Sequence, residues 1–198
     1  MVINMQTFMS LVDDGLETNS VYIDKNKKLL DRILDTHEYI PRSVAEQQSN
    51  YKQIIPYAVL SYQDYFFCLT RLKAQTETRL HGKLSIGVGG HINPIEEEHP
   101  EPVLAGLYRE LFEEVDIFTD YSLKYIGVIY EESSEVSCFH LGLLFVLNVD
   151  FPRVIVREHE KMTGDWVSLE KLRTALNIET WSSLIIQNWN NIQNTIEI

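Results

Sequence analysis

Apolar positions change period several times along the chain, and each change marks an element. Leu29, Leu30, Ile33, Leu34 and His37 recur at helical spacing behind Asp24 and Asn26, so a helix is expected that stops near Ile40-Pro41. Just upstream, Val21-Tyr22-Ile23-Asp24 reads as a short strand, whereas residues 46–53 are polar and read as a linker or an exposed helix. Residues 57–62 and 65–70 are rich in aromatic and β-branched side chains and flank Gln63-Asp64, which predicts a hairpin. A further short strand follows at 84–88, then glycines, a proline-containing acidic loop and a helix over 102–115. Two long strands at 123–130 and 136–149 come next, with a short one at Asp165-Trp166-Val167. Ser168 then caps a helix over 169–176, with Glu170 and Lys171 in its first turn, and a last helix covers 180–192.

Strands precede, flank and follow one acidic helix, and helices close the chain. That order predicts an α/β protein with a mixed sheet rather than a regular βαβ alternation. Residues 1–54 read as an accessory segment (strand, helix and linker) and residues 55–198 as the main domain. Composition adds limits. A chain of 198 residues with 44% apolar and 23% charged side chains can bury a core without staples and is not disordered as its main state. Its 17 basic and 29 acidic residues give a net charge of −12, which argues against duplex nucleic acid or an anionic membrane as partner, since both need clustered Lys and Arg. Small anionic substrates remain accessible where a divalent cation inverts the local field. Cys68 and Cys138 are too few for a disulfide framework, and each lies in an apolar run and reads as a buried thiol. The six histidines include no pair at helical metal-ligand spacing, so zinc is not expected. With no basic, apolar leader and no apolar run of 18 residues, a cytoplasmic protein is expected.

The segment from Gly89-Gly90-His91 to Ile117 carries the chemistry. At about 100° per residue, Glu110, Glu113 and Glu114 fall within roughly 100° of arc on one helix face. Leu104, Leu107, Leu111 and Val115 occupy the adjoining face and can pack on a sheet. Like charges at this spacing repel, and Glu113 and Glu114 stand at the helix C-terminus, where the dipole disfavours anions. A hard divalent cation would relieve that cost, and carboxylates alone suit Mg²⁺ or Mn²⁺. Gly87, Gly89 and Gly90 end a strand and permit close approach of backbone to a ligand. Arg109 adjoins the acidic face and can orient a carboxylate. Arg71, Arg79 and Lys83, on or near the preceding strands, are candidate phosphate contacts, and His91 is expected to line the substrate pocket.

Taken together, these residues resemble the signature of Nudix (MutT-like) hydrolases: a Gly, a Glu at set spacing, then Arg-Glu-apolar-x-Glu-Glu-x-Gly-apolar. Gly90, Arg109, Glu110, Leu111, Glu113, Glu114 and Ile117 occupy matching positions. Glu101 stands eight residues before Arg109, as the signature asks, but ten residues separate it from Gly90 where the family usually has five. The resemblance thus places a five-residue insertion at 92–100, with Glu96, Glu97 and Glu98 in a surface loop and not among metal ligands. Asp116 replaces the usual glycine after the helix, and a left-handed cap is expected of it.

The resemblance implies an α/β/α sandwich with the acidic helix packed on a mixed sheet. It implies Mg²⁺ or Mn²⁺ held by Gly90, Glu110, Glu113 and Glu114, with Glu101 and Arg109 supporting the motif. A carboxylate on a late loop completes the family's site, and Glu160 is expected to supply it, with Glu158 as competitor. The implied reaction is metal-dependent hydrolysis of a pyrophosphate linkage in a nucleoside diphosphate joined to another moiety. The implied partner is that small molecule, with a homodimer left open. Two other readings share the fold: a non-catalytic nucleotide-binding sensor, which would tend to lose the glutamates kept here, and an isoprenoid diphosphate isomerase, which would need a catalytic cysteine near the motif.

Overall fold

A computed structural model describes residues 1–12, 16–72, 82–133 and 137–196. The strands are β1 (Val2–Asn4), β2 (Ser20–Ile23), β3 (Tyr51–Tyr62), β4 (Tyr65–Arg71), β5 (Leu84–Ser85), β6 (Gly87–Gly89), β7 (Val115–Ile117), β8 (Tyr121–Tyr130), β9 (His140–Val149), β10 (Val154–Val156) and β11 (Met162–Ser168). The helices are α1 (Met5–Leu11), α2 (Lys28–Thr36), α3 (Arg42–Ala45), α4 (Pro102–Glu114), α5 (Leu169–Thr174), α6 (Thr180–Gln187) and α7 (Trp189–Ile196).

Among the described residues, nine strands form one mixed sheet ordered β11-β4-β3-β9-β8-β2, with β1 and β6 added to β3 and β5 to β4; β7 and β10 pair separately. The β3–β9 pair is parallel over Gln53–Ser61, and the remaining pairs are antiparallel. The sheet has two covered faces, as the period-two pattern of β3 requires. Ile54, Ala58 and Leu60 pack with α1, α2 and α4, while Ile55, Tyr57 and Val59 pack with α5, α6 and α7. This is an α/β/α sandwich around a mixed sheet.

The expected hairpin forms between β3 and β4, with Gln63 in a left-handed conformation at its turn. Ser168 caps α5 by accepting a hydrogen bond from the backbone of Lys171. Three features differ from the sequence reading. The chain opens with a strand and a helix, β1 and α1, in a stretch where no element was expected. The helix expected over 180–192 is two helices, because Asn188 leaves helical geometry between α6 and α7. The boundary expected at 54/55 falls inside β3, and residues 1–54 contribute to the same sheet: β1 pairs with β3 and β2 with β8. Phe8 of α1 and Leu29 and Ile33 of α2 are buried in the shared core. Cys68 is buried as expected, while Cys138 is only half-buried. No helix among the described residues is long and apolar enough to cross a membrane.

Candidate active site

α4 positions the site. Pro102 stands in its first turn, and Leu107 and Leu111 are buried against the sheet. That anchor turns the adjoining face toward a cavity of about 840 Å³ between α4, the β5–β6 edge and the start of α6. Glu110 and Glu114 line this cavity. Separated by four residues, they lie about 40° apart on the helix. Glu113 is rotated away, leaves its side chain 58% exposed and does not line the cavity. Glu113 nevertheless stays beside Glu110, since both carboxylates accept from the same Arg109 nitrogen.

Arg109 organises the motif. Its Nε donates to Glu96 Oε1 at 2.8 Å, Nη1 to Glu110 Oε1 at 2.7 Å and to Glu113 Oε1 at 3.4 Å, and Nη2 to the His91 carbonyl at 2.7 Å. Burial works against its charge, but the bonds to Glu96 and Glu110 prevail and hold the guanidinium protonated. The expectation for Glu101 is corrected here. Glu101 is an exposed N-cap of α4 with no side-chain capping bond and no contact to Arg109. Glu96 takes that role. It is only 6% exposed, because the segment Pro94–Glu98 forms a short 3-10 turn closed by Asn93, whose backbone N–H donates to the Glu96 carboxylate. Five residues then separate Gly90 from Glu96, and the five extra residues lie between Glu96 and Arg109. The insertion expected upstream of the motif glutamate is downstream of it.

Gly90 ends the β6 edge against the acids. A Cβ there would lie 2.1 Å from a Glu110 carboxylate oxygen, so only glycine lets this backbone meet that side chain. Burial pushes the Glu110 carboxyl up from its ordinary value, and Arg109 pulls it partly back. Burial pushes Glu114 further, to about 7, with Arg71 opposing and Glu110, Glu158 and Glu179 reinforcing. Arg71 Nη2 lies 3.8 Å from Glu114 Oε1.

Arg71, Lys83 and His91 all line the cavity, while Arg79 lies outside the described residues. Glu160 is exposed and is not among the cavity residues; its neighbour Glu158 is the acid whose charge reaches Glu114. Asp116 is not in a left-handed cap. α4 passes directly into β7, Asp116 sits opposite Ile155 of β10, and its carboxylate accepts from Arg157 Nε at 3.1 Å. The Arg157 backbone N–H in turn donates to the Glu114 carbonyl at 2.8 Å, tying the loop that carries Glu158 to the end of α4.

Several cavity residues had no sequence signal. Glu179 stands at the N-cap position of α6 without a side-chain capping bond and accepts from the buried Tyr57 hydroxyl at 3.4 Å, which also contacts Ser85 Oγ at 3.0 Å and Ser182 Oγ at 3.1 Å. Arg42 and Glu46 arrive from the N-terminal segment, and His140 from the start of β9.

The same architecture recurs in known proteins. Over 183 residues the chain is 31% identical to protein YmaB of Bacillus subtilis (strain 168), spanning 87% of this chain and 89% of that one. The solved structure of Tm1382, assigned as a Nudix hydrolase, superposes with a TM-score of 0.80 at 27% identity, covering 96% of this chain and 97% of that one. This chain belongs to the Nudix hydrolase family. The NUDIX domain of Shewanella oneidensis NrtR, crystallised with ADP-ribose, shares the fold at a TM-score of 0.56 and 11% identity, over 81% of this chain and 96% of that one. No family model matches the sequence. Among the described residues of this Nudix protein, no three His, Cys, Asp or Glu side chains form a ready metal cage. Buried Glu114 and half-buried Glu110 beside an open cavity do fit a hard divalent cation, of the kind that keeps several waters and binds through one or two carboxylates plus substrate phosphates.

Proposed function

We propose that the protein is a metal-dependent pyrophosphohydrolase acting on a nucleoside diphosphate joined to another moiety, with Mg²⁺ or Mn²⁺ as cofactor. The observation that carries this reading is Glu110 meeting the backbone of Gly90 in a large cavity that Glu114, Arg71 and Lys83 also line. Glu110, Glu114 and the Gly90 backbone would hold the cation, which when bound neutralises phosphate oxygens and acidifies a coordinated water. Arg71, from β4, and Lys83, just before β5, both line the cavity and would bind the substrate's phosphates. Arg109 holds one oxygen of the Glu110 carboxylate and so narrows the rotamers this side chain searches. A carboxylate of this set, or Glu158 on the adjacent loop, takes the proton of the attacking water.

The test is hydrolysis of a panel of nucleoside diphosphate derivatives with Mg²⁺. Turnover should vanish in EDTA, and Glu110→Gln and Glu114→Gln should each lower it by about 100-fold or more, the scale of lost electrostatic stabilisation. Full turnover in metal-free buffer, or wild-type rates in both variants, would refute the reading.

A further inference from the structure

Lys52 is a charged side chain inside the core. It stands in β3 on the face that Ile54 and Ala58 share, with only 1% of its side chain exposed. Burying an ammonium forfeits hydration that an apolar residue of the same length would not lose, so stability alone does not account for it. Its contacts do. Nζ donates to Glu132 Oε1 at 2.9 Å and to the Cys138 carbonyl at 2.5 Å, and it lies 5.4 Å from the centre of the Tyr130 ring. Tyr130 ends β8, Glu132 follows it, and Cys138 stands two residues before β9. One ammonium therefore bridges the two ends of the β8–β9 connection. The adjacent acid, Glu131, accepts instead from the Ser133 backbone N–H at 2.6 Å.

The bridge falls where the sheet gives no support. β9 pairs with β3 from His140 onward and with β8 from Gly142 onward, so the 3-10 turn Ser137–Phe139 precedes both ladders. Ser137, Phe139 and His140 are nevertheless a wall of the cavity. Gln53, the neighbour of Lys52, points to the other face of the sheet, where its Nε2 lies 3.4 Å from His140 Nε2. The start of β9 is thus held from both faces. His140 Nε2 lies 3.4 Å from His91 Nε2, and the His91 carbonyl accepts from Arg109. The wall is continuous with the motif, whichever ring nitrogens carry the protons.

We propose that Lys52 is a positioning residue: by tying Glu132 to the Cys138 carbonyl it sets the cavity wall of Ser137, Phe139 and His140, and with it the affinity for a ligand in that cavity. Lys52 does not itself line the cavity. Its effect on substrate rests on the pyrophosphohydrolase reading, and its effect on the wall does not.

The experiment compares wild type, Lys52→Met, His140→Ala and the double variant. Methionine matches lysine in length without the charge, and Glu132, 39% exposed, returns to water, so Lys52→Met should fold with a melting temperature close to wild type. The nuclear Overhauser contact between the His91 and His140 rings, whose centroids lie 5.4 Å apart, should be present in wild type and lost in Lys52→Met. Calorimetric affinity for the α,β-methylene analogue of ADP-ribose in Mg²⁺ should fall at least about 10-fold in Lys52→Met, about 1.4 kcal/mol. Adding Lys52→Met to His140→Ala should cost little more, because both act on one wall. A ring contact unchanged in Lys52→Met, or an equal loss of affinity in both backgrounds, overturns the proposal. If Lys52→Met does not fold, Glu132→Ala removes the exposed end of the bridge instead, and a wild-type ring contact there overturns it. If the analogue binds none of the proteins, the pyrophosphohydrolase reading loses this substrate class, and the ring contact alone decides the role of Lys52.

Discussion

Arg109 donates to three carboxylates and one carbonyl, and among these partners Glu96 is the one most deeply buried. Removing it would leave a guanidinium without its Nε partner and the Asn93 backbone N–H without an acceptor. Leaving a charged hydrogen-bond network broken in this way costs about 2–3 kcal/mol. Glu96→Ala should therefore lower the melting temperature by several degrees and depress activity by loosening Glu110. Glu101→Gln, at an exposed position that contacts neither Arg109 nor a capping N–H, should be silent in both measurements. The reverse outcome would return the supporting role to Glu101.

Elements act here by fixing approach distances. α4 is held on the sheet by Leu107 and Leu111, and the β6 edge is held on β3 by the pairing of Gly89 with Tyr57. Gly90 is therefore pressed against Glu110 with no freedom to retreat. Gly90→Ala should fold, since the group it meets is the end of a flexible side chain, but it should push the Glu110 carboxylate off Arg109. Turnover should drop by about 100-fold or more with a melting temperature close to wild type, a split that a thermal melt and an initial-rate assay together resolve. β7 and β10 do comparable work at the other end of α4. Their pairing, with the Asp116–Arg157 contact, carries the 157–161 loop to Glu114, a task for which no left-handed residue is required.

At the scale of the whole molecule, burying Glu114 couples folding to protons and, on the proposed function, to metal. Its carboxyl is raised by burial from an ordinary 4.5 to about 7 in the metal-free protein, so the folded state holds the proton more tightly than the unfolded chain. The associated stability is fully present below the unfolded value and is lost as pH rises through about 7, amounting to about 3 kcal/mol at most. Metal-free protein should therefore melt at lower temperature at pH 8 than at pH 5, and Mg²⁺ should restore more at pH 8 than at pH 5. Glu114→Gln should flatten the trend. A wild-type profile that is level with pH and indifferent to Mg²⁺ would show that Glu114 is not the coupled group.

The sequence by itself determined the α/β class, the hairpin at Gln63-Asp64, the Ser168 cap and the acidic helix with its apolar anchor, because these follow from local periodicity and turn chemistry. Local spacing also grouped Arg109, Glu110 and Glu114, which all line the cavity. It could not tell Glu96 from Glu101, since linear distance from either Gly90 or Arg109 suits one candidate and strands the other. Only the folded loop, with Asn93 closing a turn over Glu96, decided which acid reaches the guanidinium. The same holds for Glu113, which helical arc groups with Glu110 and Glu114 but whose side chain is 58% exposed in the fold. Arg42, His140 and Glu179 are far apart in sequence and become neighbours of one cavity only through the parallel β3–β9 pairing and the return of α6. Contacts of that kind are set by how the layers stack, and no single segment of the chain encodes them.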